Sequence, residues 1–324
     1  MTEGETVQGQ EPIGSAFGAR STAAQVLAGR DLTGTIAVVT GGGSGLGLET
    51  VRALVGAGAA VVAAVRRPEA AEAELRGVGP VEVRELDLAD QESVRVFADG
   101  LLATGRSIDL LFDNAGVMAL PETRVGPGWE AHFATNHLGH HALVNRLWPA
   151  LVAGAGARVV ALSSSAHRMS AMRWDDVMFR SGYDRAAAYG QSKTACALFA
   201  VHLDALGREH GVRAFAVDPG GIMTPLQRHM TREEMIAFGW IDEAGNVAPG
   251  FKTPEQGAAT QVWAATSPQL GGIGGLYLED CEVAALSTDD SPGVRPHAVD
   301  PQEAARLWEL SAELTGVDSG DVRP

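Results

Sequence analysis

The feature that most restricts the folding of this 324-residue chain is where its glycines gather. Thr40-Gly41-Gly42-Gly43-Ser44-Gly45-Leu46-Gly47 follows a β-branched run at 36–40 and opens a helical pattern over 45–57. A strand, a turn free of side chains and a helix N-terminus together make an anion site. Backbone N–H groups and the positive end of the helix dipole face the ligand, and glycine lets it come close. The chain has 40 glycines but no Gly-X-Y period, so a collagen-like fold is excluded and the excess belongs in turns and close backbone contacts.

From Thr35 onward, short apolar runs at 36–40, 60–65, 81–86, 108–112, 158–162 and 212–217 alternate with helical patterns. The helices are expected at 45–57, 68–76, 91–104, 128–152 and 185–211, with a further helix over 254–265 and a last strand near 275–278. Near-continuous apolar strands separated by helices predict an α/β fold, a doubly wound parallel sheet of seven strands covered on both faces. Residues 1–30 read as an N-terminal arm, 31–286 as the domain carrying the chemistry, and 287–324 as a linker followed by an amphipathic helix at 301–315. After Asp218 the rhythm gives way to a Pro-, Gly- and Met-rich stretch. Its Met223, Met230, Met235, Phe238 and Trp240 suit either a lid over an apolar ligand or core packing.

Composition removes several classes of function. The net charge of −15 opposes binding to a nucleic-acid duplex. Cys196 and Cys281 are too few for a disulfide framework and lack zinc spacing. The acidic start Met1-Thr2-Glu3-Gly4-Glu5 is unlike a secretory signal, and the uncharged run 256–278 is too polar to span a bilayer, so no membrane span and a cytoplasmic location are expected. His137, His140 and His141 share a helical turn, yet no carboxylate or thiol stands near them in sequence, and no metal is expected.

The loop spacing Thr-Gly-x-x-x-Gly-x-Gly, with Asp87-Leu88, Asn114-Ala115-Gly116, Tyr189-Gly190-Gln191-Ser192-Lys193 and Pro219-Gly220 through Ile222 and Thr224, resembles the short-chain dehydrogenase/reductase family over about residues 33 to 280. Ser163-Ser164-Ser165-Ala166-His167 and Leu276-Tyr277-Leu278-Glu279-Asp280-Cys281 look most like its retinol dehydrogenase-like branch. The resemblance implies a Rossmann-type fold. It also implies a nicotinamide cofactor held by Gly41, Ser44, Gly45, Leu46 and Gly47 at the pyrophosphate, Asp87 and Leu88 at the adenine, Asn114, Ala115 and Gly116 along its length, and Pro219, Gly220, Ile222 and Thr224 at the nicotinamide. Association as a homodimer or homotetramer through the long helices is usual in that family.

Cofactor choice is readable from residue type. An acid about twenty positions beyond the loop would hold the ribose 2′-hydroxyl of NAD, and an Arg there suits the 2′-phosphate of NADP. Arg66 stands nineteen residues after Gly47 and Arg67 follows, so NADP(H) is expected in preference to NAD. Tyr189 and Lys193, four apart on a helix, project from one face. A neighbouring ammonium and an oxidised nicotinamide would lower the phenol pKa and make Tyr189 the acid/base. By family pattern Ser164 polarises the substrate oxygen, with Ser163 and Ser165 as alternatives, and Asn136 holds a water in a relay behind Lys193. The stretch between Ser164 and Tyr189 is longer than usual in the family, and its Met169, Met172, Trp174 and Phe179 are expected around a hydrophobic substrate. Hydride transfer on a hydroxyl or carbonyl is the expected reaction. Carbon–carbon double-bond reduction and a non-catalytic dinucleotide sensor remain alternatives.

Overall fold

The computed structural model describes residues 9–154, 156–289 and 291–318. Its main sheet contains β1 (Ile36–Thr40), β2 (Ala60–Val65), β3 (Val81–Glu85) and β4 (Leu110–Asp113), then β7 (Arg158–Leu162), β8 (Arg213–Asp218), β9 (Leu276–Glu279) and β10 (Glu282–Val283). A separate hairpin joins β5 (Arg124–Val125) to β6 (Trp129–Glu130). The order β10-β9-β8-β7-β4-β1-β2-β3 is parallel except for β10, which pairs antiparallel with β9 through Glu282 opposite Glu279. The expected α/β doubly wound sheet is present. Where seven strands were expected there is an eighth, two residues long, which caps the sheet edge.

Alternation along the strands divides the core. Val38 and Val62 face a layer with Leu111, Leu143 and Leu198, whereas Val39 and Val61 face the other with Val51, Leu54 and Trp263. These side chains are almost completely buried, and each aliphatic one contributes roughly 1.5–3 kcal/mol relative to exposure. One layer holds α4 (Gln91–Leu102), α6 (Gly139–Val152), α7 (Arg185–Gly207) and α11 (Pro301–Thr315). The other holds α1 (Ala23–Val26), α2 (Gly45–Gly56), α3 (Pro68–Glu74) and α10 (Ala259–Thr266), with α9 (Pro254–Gly257) packed beside α2. The strand order reverses between β1 and its neighbours β4 and β2, the point at which doubly wound sheets open a ligand crevice.

The helix expected over 128–152 is interrupted. Gly126 and Gly128 both adopt positive φ, and the Glu130 carboxylate accepts the N–H groups of His132 (3.0 Å) and Phe133 (2.8 Å), so the helix begins only with α5 (Ala131–Phe133). A π-turn over Ala134–Leu138 separates it from α6 and sets Asn136 on the inner side.

The described segments nearest either terminus pack on the body. Gln10 donates to Tyr277 O (2.9 Å) and Ala284 O and accepts from Tyr277 N–H. Residues 287–297, expected as a linker, are held by Arg295 N–H donating to His167 Nε2 (3.1 Å) and Arg168 donating to Gly293 O (2.8 Å). In α11, Trp308 stacks on Phe199 and meets His141 edge-on, so α11 covers part of α7 and α6. Among the described residues no helix is long and apolar enough to cross a membrane. The 256–278 run is divided among α9, α10, a 3₁₀ turn and β9.

Candidate active site

Two adjoining cavities open at the carboxyl ends of β1, β4 and β7, and Gly41, Ser44, Gly45, Ala115 and Gly116 belong to both. One, of about 540 Å³, runs over the glycine loop past Arg66, Arg67, Asp87 and Leu88. The other, of about 520 Å³, holds Leu46, Asn114, Ser164, Tyr189, Lys193, Pro219, Gly220, Ile222 and Thr224 beside Met118, Met169, Met230, Phe238, Trp240 and Phe251. Thus the expected site residues come together in one cleft, apart from Gly47 and Asn136, which lie behind its wall.

The wall is built from backbone. A Cβ on Gly47 would lie 2.3 Å from Gly41 O and 2.6 Å from Asn114 Nδ2, so the loop and the Asn114 segment close on each other only because residue 47 has no side chain. Ser44, the cap of α2, makes no side-chain cap bond, and the first turn carries no acid. The free N–H groups at the α2 N-terminus are of the kind that would hold a phosphate anion.

Thr40 fastens the wall from inside. Its Oγ1 accepts from Asn114 N–H and Ala115 N–H, both at 2.9 Å, and lies 2.9 Å from His140 Nε2. His140 Nδ1 is 2.9 Å from the Asn136 carbonyl, so Nδ1–H donates there and Nε2 accepts the Thr40 hydroxyl proton. Burial lowers the His140 pKa to about 4, which keeps this neutral tautomer near pH 7. The Asn136 side chain accepts from Val117 N–H (2.8 Å) and donates to Val117 O (3.0 Å) and Ser192 Oγ (2.9 Å). The Asn136 backbone carbonyl accepts from the Cys196 thiol at 3.3 Å. In this structure Asn136 braces Gly116–Val117.

The three serines separate by their bonds. Ser163 is buried and donates to Lys193 O (2.7 Å), and Ser165 is exposed. Ser164, two residues past β7, accepts Ala166 N–H at 3.2 Å and lines the cavity beside Tyr189. Lys193 lies one helical turn on, its Nζ 5.7 Å from the Tyr189 ring centre and donating to Leu162 O at 2.7 Å. Burial raises the Tyr189 pKa above the ordinary phenol value, against the lowering effect of the nearby Ser164 hydroxyl, and burial lowers that of Lys193.

Of the four bulky residues between Ser164 and Tyr189 expected at the substrate, only Met169 reaches the cavity. Met172 is in the core, Phe179 is fully buried under Arg173, and Trp174 donates to Glu303 while Arg306 covers its ring. Trp174 in that stretch seats against α11. From the later loop, Met230, Phe238 and Trp240 line the cavity, while Met223 and Met235 do not. Sequence reasoning did not find Thr40 or His140 as braces, nor Phe251 and Arg228 in the lining. None of them carries a local signal, because each acts across the chain.

A model of the short chain dehydrogenase family matches residues 35–235. The chain belongs to the short-chain dehydrogenase family. A Streptomyces lividans protein named "Probable oxidoreductase" is 48% identical over 87% of this chain and 98% of its own length. Retinol dehydrogenase 12 of Mus musculus is 36% identical over 88% of each chain. Among solved structures, an uncharacterised Mycobacterium paratuberculosis protein aligns with TM-score 0.72 and 34% identity, covering 92% of this chain and 98% of that one. The Pseudomonas aeruginosa RhlG/NADP active-site complex aligns with TM-score 0.61 and 25% identity, covering 77% and 95%. This member of the family is an NAD(P)-dependent oxidoreductase, which sets aside the non-catalytic sensor.

Proposed function

We propose that the chain transfers hydride between NADP(H) and the hydroxyl or carbonyl carbon of an apolar small molecule, with Tyr189 as the acid/base. The observation that carries this reading is that Ser164, Tyr189 and Lys193 line one cavity, between the glycine-loop wall and a lining of Met118, Met169, Met230, Phe238, Trp240 and Phe251. When bound, the nicotinamide donates or accepts the hydride.

Ser164 Oγ–H would bond the substrate oxygen and hold its carbon towards Pro219 and Gly220. In reduction, Tyr189 Oη supplies the proton to that oxygen as the carbon gains hydride. A phenol kept protonated by burial suits this direction. Lys193 Nζ, held beneath the Tyr189 ring, returns positive charge towards the phenolate left behind. Two hydroxyls converging on one point fit an oxygen-bearing carbon better than a carbon–carbon double bond, and retinol dehydrogenase 12 is named for an alcohol. Asp87 and Leu88 line the adenosine end with Arg66 and Arg67, whose charge favours a 2′-phosphate.

Tyr189→Phe tests the reading. Turnover of a hydrophobic aldehyde with NADPH should fall about a thousandfold while the NADPH dissociation constant stays within twofold. Turnover surviving in the variant removes Tyr189 from the reaction. A wild-type Michaelis constant lower for NADH than for NADPH removes the cofactor assignment.

A further inference from the structure

Arg228 sits on the 3₁₀ turn Pro225–His229, opposite Arg66 and Arg67 at the end of β2. All three guanidinium-bearing residues line the adenosine-side cavity, and Arg228 alone of them also lines the substrate cavity. Burial and then the positive charges of Arg66 and Arg67 weaken its hold on its proton. Glu74 and Asp87 line the same cavity, yet among the described residues none of the three arginines is ion-paired. Arg228 Nη1 is bonded only to Pro225 O, at 3.1 Å on its own turn. Three unpaired cations facing one cavity are unfavourable until an anion joins them, and guanidinium forks match phosphate oxygens.

The turn that carries Arg228 is also part of the substrate wall. Thr224 and Gln227 cap it reciprocally, and Gln227 Nε2 donates to Ile222 O at 2.8 Å, so the turn moves as a unit with the segment after Pro219. Leu226 and Met230, two residues to either side of Arg228, pack on Met118, Ala166 and Tyr189. Beyond them α8 (Arg232–Ala237) is held to the start of α7 by the Arg185–Glu234 ion pair. This segment therefore has one anchor on α7 and one arginine lining the cavity of Arg66 and Arg67.

We propose that Arg228 is a third ligand of the cofactor's 2′-phosphate, and that binding it holds Leu226 and Met230 in their place over Tyr189, so that the phosphate steadies the substrate pocket. This rests on the NADP(H) reading given above.

The test uses binding and hydrogen exchange on the full chain, with adenosine 2′,5′-bisphosphate and 5′-AMP as probes that carry and lack the phosphate. In the wild type the bisphosphate should bind more tightly than 5′-AMP and slow exchange across 225–240. Arg228→Ala should weaken the bisphosphate about tenfold, leave 5′-AMP unchanged and abolish the protection even at saturation. Arg66→Ala should weaken the bisphosphate comparably yet keep the protection once saturated, and Arg228→Lys should restore part of it. If the wild type binds both probes equally, the cofactor reading and this inference fall together. If it prefers the bisphosphate but Arg228→Ala keeps full affinity or full protection, only the inference falls.

Discussion

The two walls of the cleft are made of different material. The wall proposed for the cofactor is backbone: Gly41 to Gly47, Asn114 to Gly116 and Pro219 to Gly220, locked from behind by Thr40, His140 and Asn136. The substrate wall is side chains on irregular segments, with Met169 and Phe238 more than half exposed at 62% and 61%. Backbone geometry tolerates almost no substitution where atoms already touch, whereas an apolar lining can change size and still close over a ligand. One fold can thus keep a constant cofactor and vary what it acts on.

The contrast breaks first at glycine. Gly47→Ala places a methyl where Gly41 O and Asn114 Nδ2 already stand, so loop or strand must move. It should lower stability by about 1–3 kcal/mol and raise the NADPH dissociation constant about a hundredfold or more. Gly250→Ala, in the irregular segment, meets nothing within 4 Å at its Cβ and should leave both unchanged. Calorimetric melts with NADPH titrations decide it, and wild-type binding by Gly47→Ala would show that the wall yields.

The same difference governs what was legible in sequence. The loop, Asn114-Ala115-Gly116 and Tyr189 with Lys193 are local patterns, because strand–turn–helix geometry puts the needed atoms at fixed chain separations. The eighth strand has only two residues and no pattern of its own, and the late helix start at Ala131 depends on Glu130 capping. Met172, Trp174 and Phe179 looked like a substrate lining because apolar residues near a catalytic helix have the same composition whether they face a cavity or seat another helix. Only α11, from the far end of the chain, decides which. Arg228 was silent for the same reason: nothing around it in sequence reveals Arg66 across the cleft.

At the substrate wall the expected effect is smaller and selective. Phe238 lines the cavity and stacks at a tilt on Trp240, 5.7 Å between ring centres. Phe238→Ala should raise the Michaelis constant for a large apolar substrate about tenfold, barely affect a short one, and leave NADPH binding unchanged. A parallel rise for NADPH would mean that the two walls are not separable.

The gentlest probe lies one residue beyond the brace. His140 uses both ring nitrogens to hold the cofactor wall, while neither nitrogen of the buried His141 has a hydrogen-bond partner among the described residues, its ring lying against Trp308 and Phe199. Burial lowers the pKa of His140 and His167 to about 4 and that of His141 to about 3. An unfolded histidine takes its proton near pH 6.5, so between there and about 4 the unfolded chain binds protons that the folded one refuses. The stability these rings contribute is therefore present above pH 6.5 and lost on acidification, by up to about 1.4 kcal/mol per pH unit per ring. Buried Asp113 and Asp218, whose pKa values burial raises, act in the opposite sense and temper the loss. His141→Phe should keep the fold and NADPH affinity at pH 7.5 and reduce by a few degrees the fall in melting temperature between pH 7 and 5. An unchanged fall would show that His141 does not resist protonation in the folded chain, and a loss of NADPH affinity would extend the cofactor wall's support one residue further along α6.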